Sequence, residues 1–138
     1  MTALDAAAVN AMLVERFPGA SASCEELGDG FAVASVEVSE GSLRPGGYVS
    51  GPTLFALADA ALWYLTFTVI DRIEPMALTS ELSIRFLRPA QGRVVRARAD
   101  LGTATRRSVV GSVRVWMDDQ VDRPSAIAQG TYVLPRSS

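Results

Sequence analysis

The chain alternates between two hydrophobic rhythms, and the changes of rhythm mark out its elements. Val9, Leu13 and Phe17 recur every four residues and predict a short amphipathic helix over about 3–17, stopped by Pro18-Gly19. Thr2, with Asp5 three residues later, is its predicted cap. Ser21–Leu27 and Phe31–Val38 flank Gly28-Asp29-Gly30 and predict a hairpin. A glycine-rich loop with Pro45 then runs from Ser39 to Val49. From about Gly51 to Ile70 the chain is almost continuously apolar. This predicts a helix with Ser50 as N-cap and Pro52 in the first turn, where proline is tolerated. At ~1.5 Å per residue that helix is about 28 Å long, enough to cross a small domain.

Four runs of period two follow: Ser80–Leu87, Arg93–Leu101, Arg107–Met117 and Ser125–Leu134. The first places Leu82, Ile84 and Phe86 opposite Glu81, Ser83 and Arg85. The second places Val95, Ala97, Ala99 and Leu101 opposite Val94, Arg96, Arg98 and Asp100. Such alternation predicts half-buried antiparallel strands. One long apolar helix and these strands predict an α+β fold, with a curved antiparallel sheet wrapped around a central helix and a dimer partner covering more of it. No linker or repeat interrupts the pattern, so residues 1–138 are expected to form a single domain. A membrane span over 52–70 fits by length. Asp59 near its centre would cost about 2.5–3.5 kcal/mol and no basic anchors flank it, so no membrane partner is expected.

Asp59 is the only charged residue from Pro52 to Ile70. A carboxylate stranded on a buried helix costs several kcal/mol unless it is paired or solvated. It therefore marks either a wet functional cleft or a helix acid held by a neighbour such as Thr79 or a strand arginine.

Composition narrows the chemistry further. There is no histidine, and all 13 basic residues are arginine. Ser-His-Asp and Cys-His nucleophile systems are excluded, as are the usual zinc sites. Acid–base work must run on carboxylates, with tyrosine or the single thiol, Cys24, as the other candidates. One cysteine fits a reducing compartment, and an acid early in the chain with no basic residue before Arg16 does not read as a secretory signal, so a cytoplasmic address is expected. Residues 1–71 hold two arginines and nine acids (−7), and residues 72–138 hold eleven and six (+5). The basic half suits an anionic, phosphate-bearing ligand. Equally, arginines scattered over several segments are what the outward faces of strands need, and no nucleic-acid partner is expected.

Gly47-Tyr48-Val49-Ser50-Gly51-Pro52-Thr53-Leu54-Phe55-Ala56-Leu57-Ala58-Asp59 resembles the H-G-G-x-x-x-x-L-x-D motif of PaaI-like acyl-CoA thioesterases. Ile84-Arg85-Phe86-Leu87-Arg88-Pro89-Ala90 is similar to that family's strand ending in FLRPA, and Ala126-Ile127-Ala128-Gln129-Gly130-Thr131-Tyr132 to its closing strand. The likeness covers about residues 20–134, and its motifs fall in the family's order. It implies the hotdog fold, a homodimer whose sheets join edge to edge, often a dimer of dimers, and hydrolysis of an acyl-CoA substrate at a site shared between protomers. It also implies roles. Asp59 would be general base or nucleophile, and the Gly51 N–H would polarise the thioester carbonyl. Thr79 would place the water, Ser50 stands where the motif has histidine, and Arg106 and Arg107 would lie near the coenzyme A phosphates. No cofactor is implied beyond coenzyme A as part of the substrate. Besides Ser50, the chain departs from the motif at Pro52, in place of its second glycine, and near Arg44, in place of an upstream asparagine.

Elementary chemistry supports these roles separately. A long helix presents unpaired N–H groups and partial positive charge at its N-terminus, a fit for a developing oxyanion. Gly51 and Asp59, however, are eight positions apart on one helix, about 12 Å. They cannot serve one carbonyl within one protomer, so the site is expected to be composite. The alternative is a non-catalytic hotdog module that binds acyl-CoA as a sensor or interaction protein. A hotdog dehydratase or hydratase needs a histidine–acid pair and is rejected.

Overall fold

A computed structural model of the chain describes residues 4–136. The elements run α1 (Ala6–Arg16), β1 (Ser23–Gly28), β2 (Phe31–Glu37), β3 (Leu43–Arg44), β4 (Tyr48–Val49), α2 (Gly51–Ile70), β5 (Leu78–Phe86), β6 (Val94–Ala104), β7 (Ser108–Met117) and β8 (Ala126–Val133). Six strands form one antiparallel sheet in the order β1-β2-β6-β7-β8-β5, so β1 and β5 are its edges. α2 lies across the inner face and packs mainly on β2, β6 and β7. This is the hotdog arrangement expected from the sequence.

Packing follows from side-chain size. The inward positions of the sheet are small: Ala32, Ala34, Ala97, Ala99, Ala126 and Ala128 are all buried. Gly111 and Gly130 come within reach of Leu62, and a Cβ on Gly130 would stand 2.7 Å from the Glu81 carbonyl oxygen. Small strand residues thus let α2 bring Leu57, Leu62, Tyr64, Leu65 and Phe67 close to the sheet, where all are buried. The outward faces carry the arginines. Arg96 pairs with Glu25 and Arg98 with Asp100, each at 3.1 Å. Arg98 also sits 4.1 Å from the Phe31 ring centroid. Exposed pairs of this kind contribute about 0–1 kcal/mol.

The structure departs from the sequence-based expectations in several places. The N-terminal helix is shorter than 3–17, and its N-cap is Asp5, whose carboxylate accepts the Ala8 N–H at 2.8 Å. Thr2 lies outside the described residues. The stretch 39–49 is not a plain loop but a 3₁₀ turn (Glu40–Ser42) and the β3–β4 hairpin. Phe86 and Leu101, counted on inward faces, stay exposed, at a strand end and beside a bulge in β6 respectively. α2 is also not covered all round: Pro52, Phe55 and Ala56 are exposed and Asp59 is half-buried.

Candidate active site

The N-terminus of α2 is fixed by backbone geometry. Gly47 N–H closes a turn on the Arg44 carbonyl at 3.1 Å, and this turn needs φ +98° at Gly46 and +78° at Gly47. β4 then docks through Val49 N–H to the Ala90 carbonyl, and Ser50 N–H reaches the Ser42 carbonyl, both at 2.8 Å. Ser50 caps the helix. Its Oγ accepts the Thr53 N–H at 3.3 Å and lies 2.8 Å from Thr53 Oγ1. Pro52 has no N–H and Thr53 is occupied, so Gly51 supplies the first-turn donor that has no partner among the described residues. Ser50 thus organises the helix end, where a motif histidine would carry a side chain able to hold charge.

Two turns further on, Asp59 faces a cleft of about 1410 Å³. Pro52, Thr53, Ala56, Asp59, Ala60 and Trp63 form its α2 wall, and residues 75–79 and α1 contribute other walls. Phe17 and Trp63 meet edge to face within it, with ring centroids 6.2 Å apart. Tyr64 is buried and also contributes to the lining.

The Asp59 carboxylate is held by hydroxyls. Thr79 Oγ1 donates to Asp59 Oδ1 at 2.6 Å, and Tyr132 OH donates to the same oxygen at 2.8 Å and to the Asp59 backbone carbonyl at 3.2 Å. Oδ2 accepts no hydrogen bond among the described residues. No arginine takes part, so of the two neighbours considered for Asp59 the structure selects Thr79. Tyr132 is 5% exposed, and its burial pushes the phenol well above its ordinary value, with the Asp59 charge adding to the effect. Near neutral pH it is therefore a protonated donor.

Strand register explains why both hydroxyls converge. Strict alternation back from Leu82 would turn Ser80 inward and Thr79 outward. A bulge between Thr79 and Glu81 removes Ser80 from the count, so that Thr79 lies opposite Tyr132 and Glu81 opposite Thr131. Sequence reasoning missed Tyr132. The available signal was an inward face of Ala126, Ala128 and Gly130 ending in a tyrosine, whose buried hydroxyl needs a partner.

The remaining site residues lie elsewhere. Gly51 sits beside Phe86 at the far end of β5 from Thr79; a Cβ there would be 3.3 Å from Phe86 Cζ. Arg106 and Arg107 occupy the exposed turn between β6 and β7 and do not line the Asp59 cleft of their own chain. Arg107 Nη2 donates to the Leu134 carbonyl at 3.2 Å. No cluster of three or more metal-ligating side chains exists among the described residues.

Comparison with known proteins gives a consistent picture. Residues 46–123 match the family model of the thioesterase superfamily. No curated protein matches the chain. A solved structure of a candidate thioesterase from a Silicibacter species is similar over 99% of this chain and 96% of that one, with 31% identity and a TM-score of 0.83. A variant of the phenylacetic acid degradation protein PaaI from Thermus thermophilus is similar over 86% and 96%, with 26% identity and a TM-score of 0.70. E. coli PaaI, from the phenylacetic acid degradation operon, shares the fold over 96% and 95%, with 22% identity and a TM-score of 0.78. The glycine-rich approach, the capped helix and the hydroxyl-held aspartate all fall within or beside the matched region, and the chain belongs to the thioesterase superfamily, as a PaaI-like hotdog protein with serine at the motif histidine position.

Proposed function

We propose that this chain hydrolyses acyl-CoA thioesters to a free acid and coenzyme A, at a site completed by a second copy of itself. The observation that carries this reading is Asp59: a carboxylate open to a large cleft and held by two neutral donors, with no cation paired to it among the described residues. Water activated by Asp59 adds to the thioester carbonyl, and the oxyanion is stabilised by the Gly51 N–H and the helix dipole. Collapse expels the coenzyme A thiolate, which takes up the proton that Asp59 accepted from the water. If Asp59 attacks directly, the mixed anhydride that forms is hydrolysed in a second step to the same products.

The topology supports a composite site. Asp59 is tied to Thr79 at one end of β5, and Gly51 touches Phe86 at the other end. β5 is an edge strand with Leu78 and Phe86 exposed, at 65% and 52%. Two-fold antiparallel pairing of β5 with its copy sets the Thr79 end of one strand beside the Phe86 end of the other. That brings Asp59 toward Gly51 of the partner subunit, which an intact helix forbids within one chain. Arg106 and Arg107 remain candidates for the coenzyme A phosphates in that assembly, and no further cofactor is needed.

A second reading has its own support. With Ser50 committed to capping, the motif position lacks an ionisable group, as a non-catalytic acyl-CoA binder would allow. Thiol release from short-chain, long-chain and aryl acyl-CoAs, for wild type and Asp59→Asn, separates the two. Hydrolysis expects turnover by wild type that Asp59→Asn loses. Binding of the esters with no thiol released from any of them would favour the binder.

A further inference from the structure

We infer that Tyr132 is a positioning residue for this reaction: together with Thr79 it anchors Asp59 through Oδ1 and so reserves Oδ2 as the oxygen that reacts. The inference rests on the proposed hydrolysis and adds to it a residue and an atom-level assignment.

The geometry is specific. Two hydroxyls from neighbouring strands, paired across the ladder because of the bulge at Ser80, both donate to the same carboxylate oxygen, at 2.6 and 2.8 Å. A carboxylate rotates easily about its Cβ–Cγ bond, and its two oxygens are equivalent until something distinguishes them. Two donors on Oδ1 fill its lone-pair directions and leave those of Oδ2 for water or the thioester carbonyl. The Asp59 backbone carbonyl, 3.2 Å from the same hydroxyl, takes the longer arm of its one shared proton, so Tyr132 lies against the helix turn that carries the carboxylate. Tyr132 is buried, and burial pushes its phenol up from the ordinary value, which keeps it a donor near neutral pH. Thr79 alone would fix one bond and leave the carboxylate free to swing about it. With both, reacting oxygen and approach direction are set before substrate arrives, which is how a positioned base gains its advantage.

Tyr132→Phe removes one oxygen and keeps the ring that packs under α2. On the best acyl-CoA substrate, kcat is expected to fall about 10–100-fold while KM stays within about twofold, because the hydroxyl contacts the base and not the ligand. Thr79→Val is expected to act in the same way. Since both act through Oδ1, the double variant should lie within about threefold of the weaker single. Infrared difference spectra supply a readout that needs no turnover: the carboxylate band lost in Asp59→Asn is the band that Tyr132→Phe must shift. An unshifted Asp59 band would overturn the inference whether or not the chain turns over thioester. So would an unchanged kcat in an active enzyme, or a double variant equal to the product of the singles. A Tyr132→Phe chain that does not fold would overturn it too, by making the hydroxyl a structural group. Wild type without thiol release would sink the hydrolysis reading alone, and the shifted band would still place Tyr132 on Asp59.

Discussion

Gly51→Pro, measured against Gly51→Ala, isolates the oxyanion donor. Proline removes the N–H and nothing else that the helix uses. Gly51 is the first residue of α2, a position proline favours, and Ser50 before it has φ −70° and ψ 151°, which a following proline accepts. The added Cβ would lie 3.3 Å from Phe86 Cζ, a tight contact, but the ring is 52% exposed and can turn away. Residue 51 also precedes Pro52, where a Cβ disfavours the helical backbone, so both Gly51→Pro and Gly51→Ala are expected to lose stability and the alanine chain is the reference for fold as well as activity. Activity is another matter. Losing one preorganised oxyanion donor costs about 10²–10³ in kcat, roughly 2.7–4 kcal/mol. Gly51→Ala is the control, because it adds the same Cβ and keeps the N–H. Steady-state thiol release, with circular dichroism to verify the fold, should give Ala within about tenfold of wild type and Pro at least about tenfold below Ala. A proline variant as active as the alanine variant would refute the oxyanion assignment.

Two further outcomes follow from buried and bridging groups. Cys24 is 3% exposed, and burial pushes its thiol up to about 12, so Ellman's reagent should leave the native chain unmodified and titrate one thiol once guanidinium unfolds it. Asp118 accepts the Arg93 and Val94 N–H groups at 3.0 Å each, and these bonds hold its carboxyl below the ordinary 3.8. A depressed pKa stabilises the fold above the ordinary value, and that contribution is lost as pH falls from there through the depressed value. Asp118→Ala should therefore lower Tm by a few degrees at pH 7, and the gap from wild type should narrow as the pH falls below 3.8 toward the depressed value, leaving the pH-independent cost of alanine at φ +53°. A gap independent of pH would contradict that account.

The fold was legible because its signals are local and repeated. Period-two runs located β5 to β8 with only small errors at their ends, and Ser50-Gly51-Pro52 placed the start of α2. Asp59 was legible for the opposite reason, as a single violation of an apolar pattern. What escaped depended on register and packing. The Ser80 bulge aims Thr79 inward, yet nothing in alternating strand residues announces an extra one. Tyr132 meets Asp59 across 73 positions, a separation that no periodicity carries. The helix reads as a buried one because its residues are apolar, and the extent of its open side was not legible; the structure leaves the Pro52–Ala56–Asp59 side open to the cleft. Arg106 and Arg107 read as a ligand-facing pair, and the fold places them on an exposed turn away from that cleft in the same chain.

The composite site is tested most directly by mixing two dead chains. Asp59→Asn and Gly51→Pro chains, co-expressed with different tags and purified as the doubly tagged dimer, should regain about half the activity of wild type, because one of the two sites in a symmetric dimer is then built from intact residues. Activity no higher than that of either single variant would contradict the account and put Asp59 and its oxyanion donor in the same chain.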